Sequence, residues 1–412
     1  MTQTPSVGLS RPTSLLLNVA HALDHLFLLI FAAAVASIAI DFGFDRWEEL
    51  MPFGVGAFVL FGFGSIPAGS LGDRWGRRQM MLVFFFGIGA SSILAALTQG
   101  PWQLAGALVL IGAFSSIYHP VGIPMLVQHA KRPGITIGIN GLAGNLGIAV
   151  TAILTGYLVE AFNWRAAFVV PGVISIICGI LFAMSAAPET EPPTKRKQKA
   201  PVELEPSMLA RVFLVMTAAA ITGSLLFNFT TNGNGQLLAE RMRGLIDDPS
   251  TLGLLLGAVY AIASFAQLVV GNLLDRMSLK KLYLSIVLAQ VPILALAATA
   301  QGWTLYALLI LVMVLVFGAI PFTDAMVVRY VDDRMRSRVT GMRLAVSMGI
   351  SSLAVWLLGP VVKAGGFSFL LLLMAAIAMA TSLLVLFLPS EKAAQQSAGK
   401  VQTDSSIEQP ST

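Results

Sequence analysis

Stretches of about 20 mostly apolar residues recur along the whole chain, and that is the length a helix needs to cross the hydrocarbon core of a bilayer. Twelve are visible, at roughly 15–40, 50–71, 79–98, 102–129, 135–160, 165–187, 209–235, 252–274, 280–300, 303–331, 338–363 and 366–389. Turn formers or charges break them, as at Gly72 to Arg78, Gly100-Pro101 and Lys131 to Gly134. A transmembrane barrel would alternate apolar and polar residues in segments of about ten. These runs are continuously apolar, so the expected fold is an all-α polytopic membrane protein with 12 transmembrane helices.

Composition agrees where it bears on the choice. Charged residues are 11% of the 412, against about 25% in soluble domains, too few to cover a water-facing surface. Disorder requires a polar, charge-rich chain and is excluded. A single cysteine, Cys178, excludes a disulfide scaffold and a multi-cysteine metal site. No cofactor is expected. Residues 1–14 are polar and the first apolar run is a full span, so it is read as the first membrane helix and not as a cleavable signal peptide.

Lys and Arg set the orientation. Twenty of the 26 fall on the side that carries both termini, including Arg74, Arg77, Arg78, Lys131, Arg132, Arg276, Lys280 and Lys281. Five (Arg46, Arg165, Arg241, Arg243 and Lys363) fall on the other, and Arg343 lies inside a span. Both termini are therefore expected in the cytoplasm, in a bacterial inner membrane. This bias accounts for the net charge of +5, so no nucleic-acid partner is read from it.

Residues 188–207 hold five prolines and eight charges and read as a flexible linker. They divide the chain into six-helix halves, 1–187 and 208–389, with a disordered tail at 390–412. The halves are related by a repeat. Gly69, Asp73 and Arg74 in the loop between spans two and three match Gly271, Asp275 and Arg276 between spans eight and nine, all offset by 202 residues. Duplicated halves are a common sign of transporter folds.

The first of these loops reads Gly69-x-x-x-Asp73-Arg74-x-Gly76-Arg77-Arg78 and resembles the signature of the major facilitator superfamily; the second has Ser278 at the glycine position. The resemblance covers nearly the whole chain. It implies two pseudo-symmetric six-helix bundles, a central site and alternating access by rocking. It also implies a cytoplasmic gate latched by Asp73, Arg74, Arg77 and Arg78, with Asp275 and Arg276 as the second-half counterpart. Tyr118-His119-Pro120 resembles a subgroup that includes fosmidomycin-resistance-like exporters. The arginine of span four and the Gly-Pro of span five that mark many proton antiporters are absent.

Ionisable residues inside a span are costly and usually face a cavity or a partner. His21, Asp24 and His25 lie at helical spacings of three and four in the first span, and His119 lies in the fourth. With Asp324 of span ten they are the proton-coupling candidates; the alternative is a polar network that only ties helices together. Three histidines that converge might hold a metal, but without a carboxylate-rich or cysteine-rich context no metal is expected. The run Asn228-Phe-Thr230-Thr231-Asn232-Gly-Asn234-Gly-Gln236 predicts an unwound segment of span seven on the substrate path. Asn228, Thr231 and Asn232, with Asn140 and Arg343, are the substrate-path candidates. Pro120 and Pro321 predict kinks in spans four and ten. Gly138, Gly141, Gly144 and Gly147 form a stripe for close helix packing. Phe84, Phe85 and Phe86 read as lipid-facing bulk.

The functional expectation is a monomeric secondary transporter of a small organic molecule, coupled to protons, with efflux favoured. The alternative is proton-coupled uptake of an organic anion, with Arg343 and the histidines as counter-charges. A channel or lipid-handling protein is the next class; a channel would not need two gate motifs. No nucleophile–base pair stands out, so an enzyme is not expected.

Overall fold

A computed structural model describes residues 9–127, 130, 133–187, 206–274, 276–330 and 333–389. The linker and tail read from the sequence, and Asp275, lie outside the described residues. The side chains of Asp73, Asp324 and Arg343 do so as well.

Every described regular element is helical. The first half holds α1 (Arg11–Asp41), α2 (Val55–Trp75), α3 (Arg77–Ala96), α4 (Pro101–Ser115), α5 (Pro133–Ala161) and α6 (Trp164–Ser185). The second holds α7 (Pro206–Arg241), α8 (Pro249–Leu274), α9 (Leu279–Ala297) and α10 (Gly302–Ala319). A last helical run, Asp333–Leu386, is 54 residues long and breaks at Gly366, where φ is 69° and ψ is 179°. Its apolar part spans 42 residues, about 63 Å at 1.5 Å per residue, twice a bilayer core. Gly366 supplies the left-handed backbone that turns it into two spans, α11 (333–365) and α12 (367–386). Twelve spans result, as the apolar runs predict.

Both kinks appear at the prolines. Beyond Ser115 the fourth helix passes through a π-turn, Tyr118–Gly122, before resuming at Ile123–Val127. The tenth stops at Ala319 and restarts as Pro321–Tyr330. Proline lacks the N–H that an α-helix needs and crowds the preceding turn.

The repeated loops reach one fold by two chemistries. Gly76 closes α2 with φ 97°, a conformation that favours glycine. Its counterpart Ser278 has φ −63° and caps α9, its hydroxyl accepting from the Lys281 backbone N–H.

Two expectations fail. Phe84 and Phe85 are fully buried and only Phe86 reaches outward. Phe84 packs on Tyr118 and Phe85 on Phe182 of α6, because Gly179 lets α6 approach the Phe85 and Phe86 side chains. The 228–236 run does not unwind: α7 is one α-helix of 36 residues through it. Asn228, Thr230, Thr231 and Asn232 each donate to the carbonyl four residues earlier in their own helix. Gly233 and Gly235 serve packing, facing Leu358 of α11 and Leu256 of α8.

The halves meet along α5 and α8 and along α2 and α11. At the end opposite the termini a Cβ on Gly156 of α5 would fall against the Pro249 carbonyl and 3.1 Å from Gly253 Cα of α8. Lys363 Nζ lies 2.7 Å from Glu49 Oε1, Trp47 stacks on Phe367, and the Ser250 N–H donates to Glu160 at 2.8 Å. Gly138 and Gly271 lie 18 residues from Gly156 and Gly253, five full turns along the same helix faces. At both, no atom of the described residues lies within 4 Å of where a Cβ would stand. The two helices therefore touch backbone to backbone at the far end and are spaced more widely toward the termini, where the Gln267 side chain of α8 still reaches Gly141 of α5, 3.6 Å from its Cβ position.

Candidate functional site

The site is built where α1, the π-turn and α5 meet. A helix of 31 residues is about 46 Å long, and His21 lies about 15 Å from its start, deeper than a helix beginning at residue 15 would place it. The spacing of four puts His21 and His25 on one face, with their Nε2 atoms 3.2 Å apart. The π-turn brings His119 against them: its ring centroid lies 5.1 Å from His21 and 5.9 Å from His25, both nearly perpendicular. Insertions of this type re-aim a side chain without ending the helix, and they cluster at functional positions.

Packing of α5 on α1 makes the room. A Cβ on Gly147 would collide with the Ala22 backbone, and one on Gly144 would lie 2.6–2.8 Å from the His21 ring atoms. Half of the predicted glycine stripe thus has a specific task. Gly144 leaves space for an imidazole, and Gly147 sets the helix–helix distance.

Hydrogen bonds then fix the chemistry of His21. Its Nδ1 lies 2.7 Å from the Asn140 backbone carbonyl. A carbonyl only accepts, so Nδ1 carries the hydrogen, and in neutral His21 Nε2 is a bare lone pair aimed at His25. On the other face the ring stacks on Tyr118 at 4.8 Å. Tyr118 donates to the Leu17 carbonyl at 2.9 Å, and the Asn140 amide donates to the Tyr118 hydroxyl at 2.7 Å and to Asn18 Oδ1 at 3.0 Å.

Asp24 is completely buried. Its Oδ2 is 3.5 Å from His119 Nε2, within ion-pair reach, yet neither oxygen has a hydrogen-bond partner of good geometry. A buried carboxylate without hydrogen bonds is strongly destabilising as an anion. His119 keeps 20% of its side chain exposed, which leaves the cluster reachable from outside the protein interior.

The predicted candidates therefore sort into groups. His21, Asp24, His25 and His119 come together. Asn140 joins them as a scaffold: it is 1% exposed and both its amide hydrogens are engaged, so it does not line a substrate path. Asn228, Thr231 and Asn232 lie apart, buried in the second half. There Asn228 also donates to Ser351 of α11 at 2.8 Å, and Tyr260 donates to the Thr230 carbonyl. Tyr118 and Asn18 are missed by sequence reasoning. Their helical neighbours His119 and His21 signal the region, but only the fold shows that they are bonded through Asn140.

The residues expected at the gate are placed differently from one another. Gly69 lets α2 approach Pro120, with a Cβ position 3.3 Å from the proline ring. Arg74 and Arg276 are exposed, and Arg77 is half-buried. Arg78 is committed within its own half, its guanidinium donating to the Ala186 and Ala183 carbonyls at the end of α6, each at 2.8 Å. At the opposite end Arg165 pairs with Asp41 at 2.8 Å and lies over the Trp164 ring, pinning the start of α6 to the end of α1.

Twelve spans in two halves and a loop repeated between them are the features that define the fold. The model of the Major Facilitator Superfamily matches residues 17–243 and 237–409, and the chain belongs to that family. It is similar to the "Probable actinorhodin transporter" of Streptomyces coelicolor, 30% identical over 35% of this chain and 26% of the relative. It is 24% identical to "Multidrug resistance protein MdtG" of Dickeya zeae over 69% of this chain and 72% of that protein. The chain spans about a quarter of the first relative's length, and more of the second's. Among solved structures, a D-xylose–proton symporter superposes with a TM-score of 0.75 at 14% identity, covering 92% of this chain and 98% of the other. A bacterial homologue of the human lysosomal transporter Spinster, in an inward-facing and occupied conformation, superposes with a TM-score of 0.70 at 15% identity, covering 92% and 95%.

Proposed function

We propose that the protein exports a small, largely apolar organic molecule by alternating access, driven by proton entry. The observation that carries this reading is Asp24, a fully buried carboxylate without hydrogen bonds, 3.5 Å from a partly exposed histidine. The Asp24 carboxylate beside His119, with the His21 and His25 lone pairs next to it, makes a cluster that can carry a proton. Loading and unloading this cluster changes the charge held deep between α1, α4 and α5. That change biases the two arrangements of the bundles. Efflux is supported by relatives named for multidrug resistance and for tetracenomycin C resistance and export. With the termini in the cytoplasm, the divergence of α5 and α8 corresponds to an inward-open state. Asp73, Arg74, Arg77, Asp275 and Arg276 are assigned to the gate that closes in the other state. Asn228, Thr231 and Asn232 are assigned to the second-half wall of the path. Asp324 and Arg343 are kept as candidates for proton and substrate contact.

The test is flux in proteoliposomes of a compound selected by thermal stabilisation of the purified protein. An imposed proton gradient should drive its movement, a protonophore should collapse it, and Asp24→Asn should uncouple the two. Gradient-driven flux that survives the protonophore would overturn proton coupling.

A further inference from the structure

We propose that His21, His25 and His119 form a binding site for a first-row divalent transition ion of the zinc type, with Asp24 as the carboxylate that orients His119. The inference does not depend on the export reading. It concerns which ion the imidazole lone pairs accept, and it is tested without transport.

Geometry is the first support. One ring nitrogen from each histidine lies within 4.8 Å of those of the other two. Tetrahedral zinc with Zn–N bonds of about 2.0–2.1 Å places its nitrogens about 3.3 Å apart. The His21 and His25 Nε2 atoms already stand at 3.2 Å, so only His119 has to close in.

The second support is the tautomer of His21. A metal-binding histidine usually donates its other N–H to a backbone carbonyl or a carboxylate, which fixes the ring and raises its basicity. His21 has that arrangement, with Nδ1 on the Asn140 carbonyl at 2.7 Å and Nε2 free to bind.

Asp24 is the third and independent support. It is fully buried, it has no hydrogen bond, and it faces His119 Nε2 at 3.5 Å. A turn of the His119 ring that lets Nε2–H donate to Asp24 leaves its Nδ1 for the metal, giving a carboxylate–histidine–metal chain. His25 binds through Nε2 by moving its hydrogen to Nδ1.

The donor set narrows the ion. Three imidazoles suit Zn²⁺, Co²⁺, Ni²⁺ or Cu²⁺ and do not suit Mg²⁺ or Ca²⁺, which take oxygen ligands. No thiolate contributes, since Cys178, the single cysteine, is on α6. The partial exposure of His119 leaves a way in and an open fourth position.

The experiment uses the full-length chain in detergent with its affinity tag removed. Zn²⁺ is titrated by calorimetry, and Co²⁺ by the visible absorption that a tetrahedral nitrogen site produces. The expected result is one ion per chain. His25→Ala and His119→Ala should weaken binding at least tenfold, and Asp24→Asn should weaken it about 10–100-fold. His129→Ala, which removes the fourth histidine of the chain, should leave binding unchanged. If an alanine variant fails to fold, His25→Gln and His119→Gln replace it and should show the same loss. No stoichiometric binding to the folded protein would overturn the site, as would binding that the triad variants leave intact. Flux that fails to respond to protons while the titration succeeds would overturn the export reading alone.

Discussion

Arg78 and Lys280 are 202 residues apart, the repeat offset, and each ties the start of one helix to the end of another. Arg78 donates to the last carbonyls of α6, and Lys280 Nζ donates to the Leu386 carbonyl at the end of α12, at 2.6 Å. A cation at a helix C-terminus is favoured by the exposed carbonyls there. These basic residues of the repeated loop thus hold α3 to α6 and α9 to α12. Arg78→Gln, which removes two charge-assisted hydrogen bonds at a half-buried position, should destabilise the protein by about 2–3 kcal/mol. Lys280→Gln should cost less than about 1 kcal/mol, because its bond is exposed. Thermal unfolding in detergent checks both; a larger loss for Lys280 would contradict the assignment.

Gly144 should be intolerant of any side chain. A methyl group there overlaps the His21 ring, so Gly144→Ala should cost about 1–3 kcal/mol by overpacking and shift His21 off the Asn140 carbonyl. Gly138→Ala, six residues away in open space, should be nearly silent. Equal effects from the two in a stability assay would mean that the glycines act only on the helix backbone.

The wedge between α5 and α8 predicts state-dependent cross-linking. In a Cys178→Ser background, Gly138→Cys combined with Gly271→Cys should form no disulfide in the arrangement described. It should cross-link only when the end near the termini closes. The reverse pattern, constant cross-linking of the resting protein, would refute the divergence of the two helices.

The Lys363–Glu49 pair should bias the opening of the other end only slightly. Both side chains are partly exposed, at 51% and 38%, and such pairs contribute about 0.2–1 kcal/mol. Glu49→Gln should therefore change the balance of states by roughly two- to fivefold, less at high salt. Exchanging the charges, Glu49→Lys with Lys363→Glu, should restore it. Thiol accessibility at the far end is the readout, and a swap that fails to rescue would show that the pair does not bias this opening.

The span pattern was legible because length and continuous apolarity are local properties. The repeat was legible because three residue types recur at one offset. Helix α7 was misread for a local reason as well. Its asparagines and threonines look like helix breakers, yet in a dry environment their donors return to the carbonyl one turn back, and the helix survives. The phenylalanines of α3 were misread because a continuously apolar helix does not reveal which face meets lipid.

The sequence by itself determined that this chain is a twelve-span, duplicated membrane protein with a few ionisable residues deep in its helices. A bilayer admits few alternatives for such a pattern. It also placed His21, Asp24 and His25 on one turn of α1. Only the tertiary structure decided that His119, 98 residues from His21, joins them. It also decided that Asn140 holds the tautomer, and that Asp24 is left without a hydrogen bond. Those facts depend on how closely α5 approaches α1 and on how far one π-turn rotates α4. Neither distance is written in the spacing of residues along a helix.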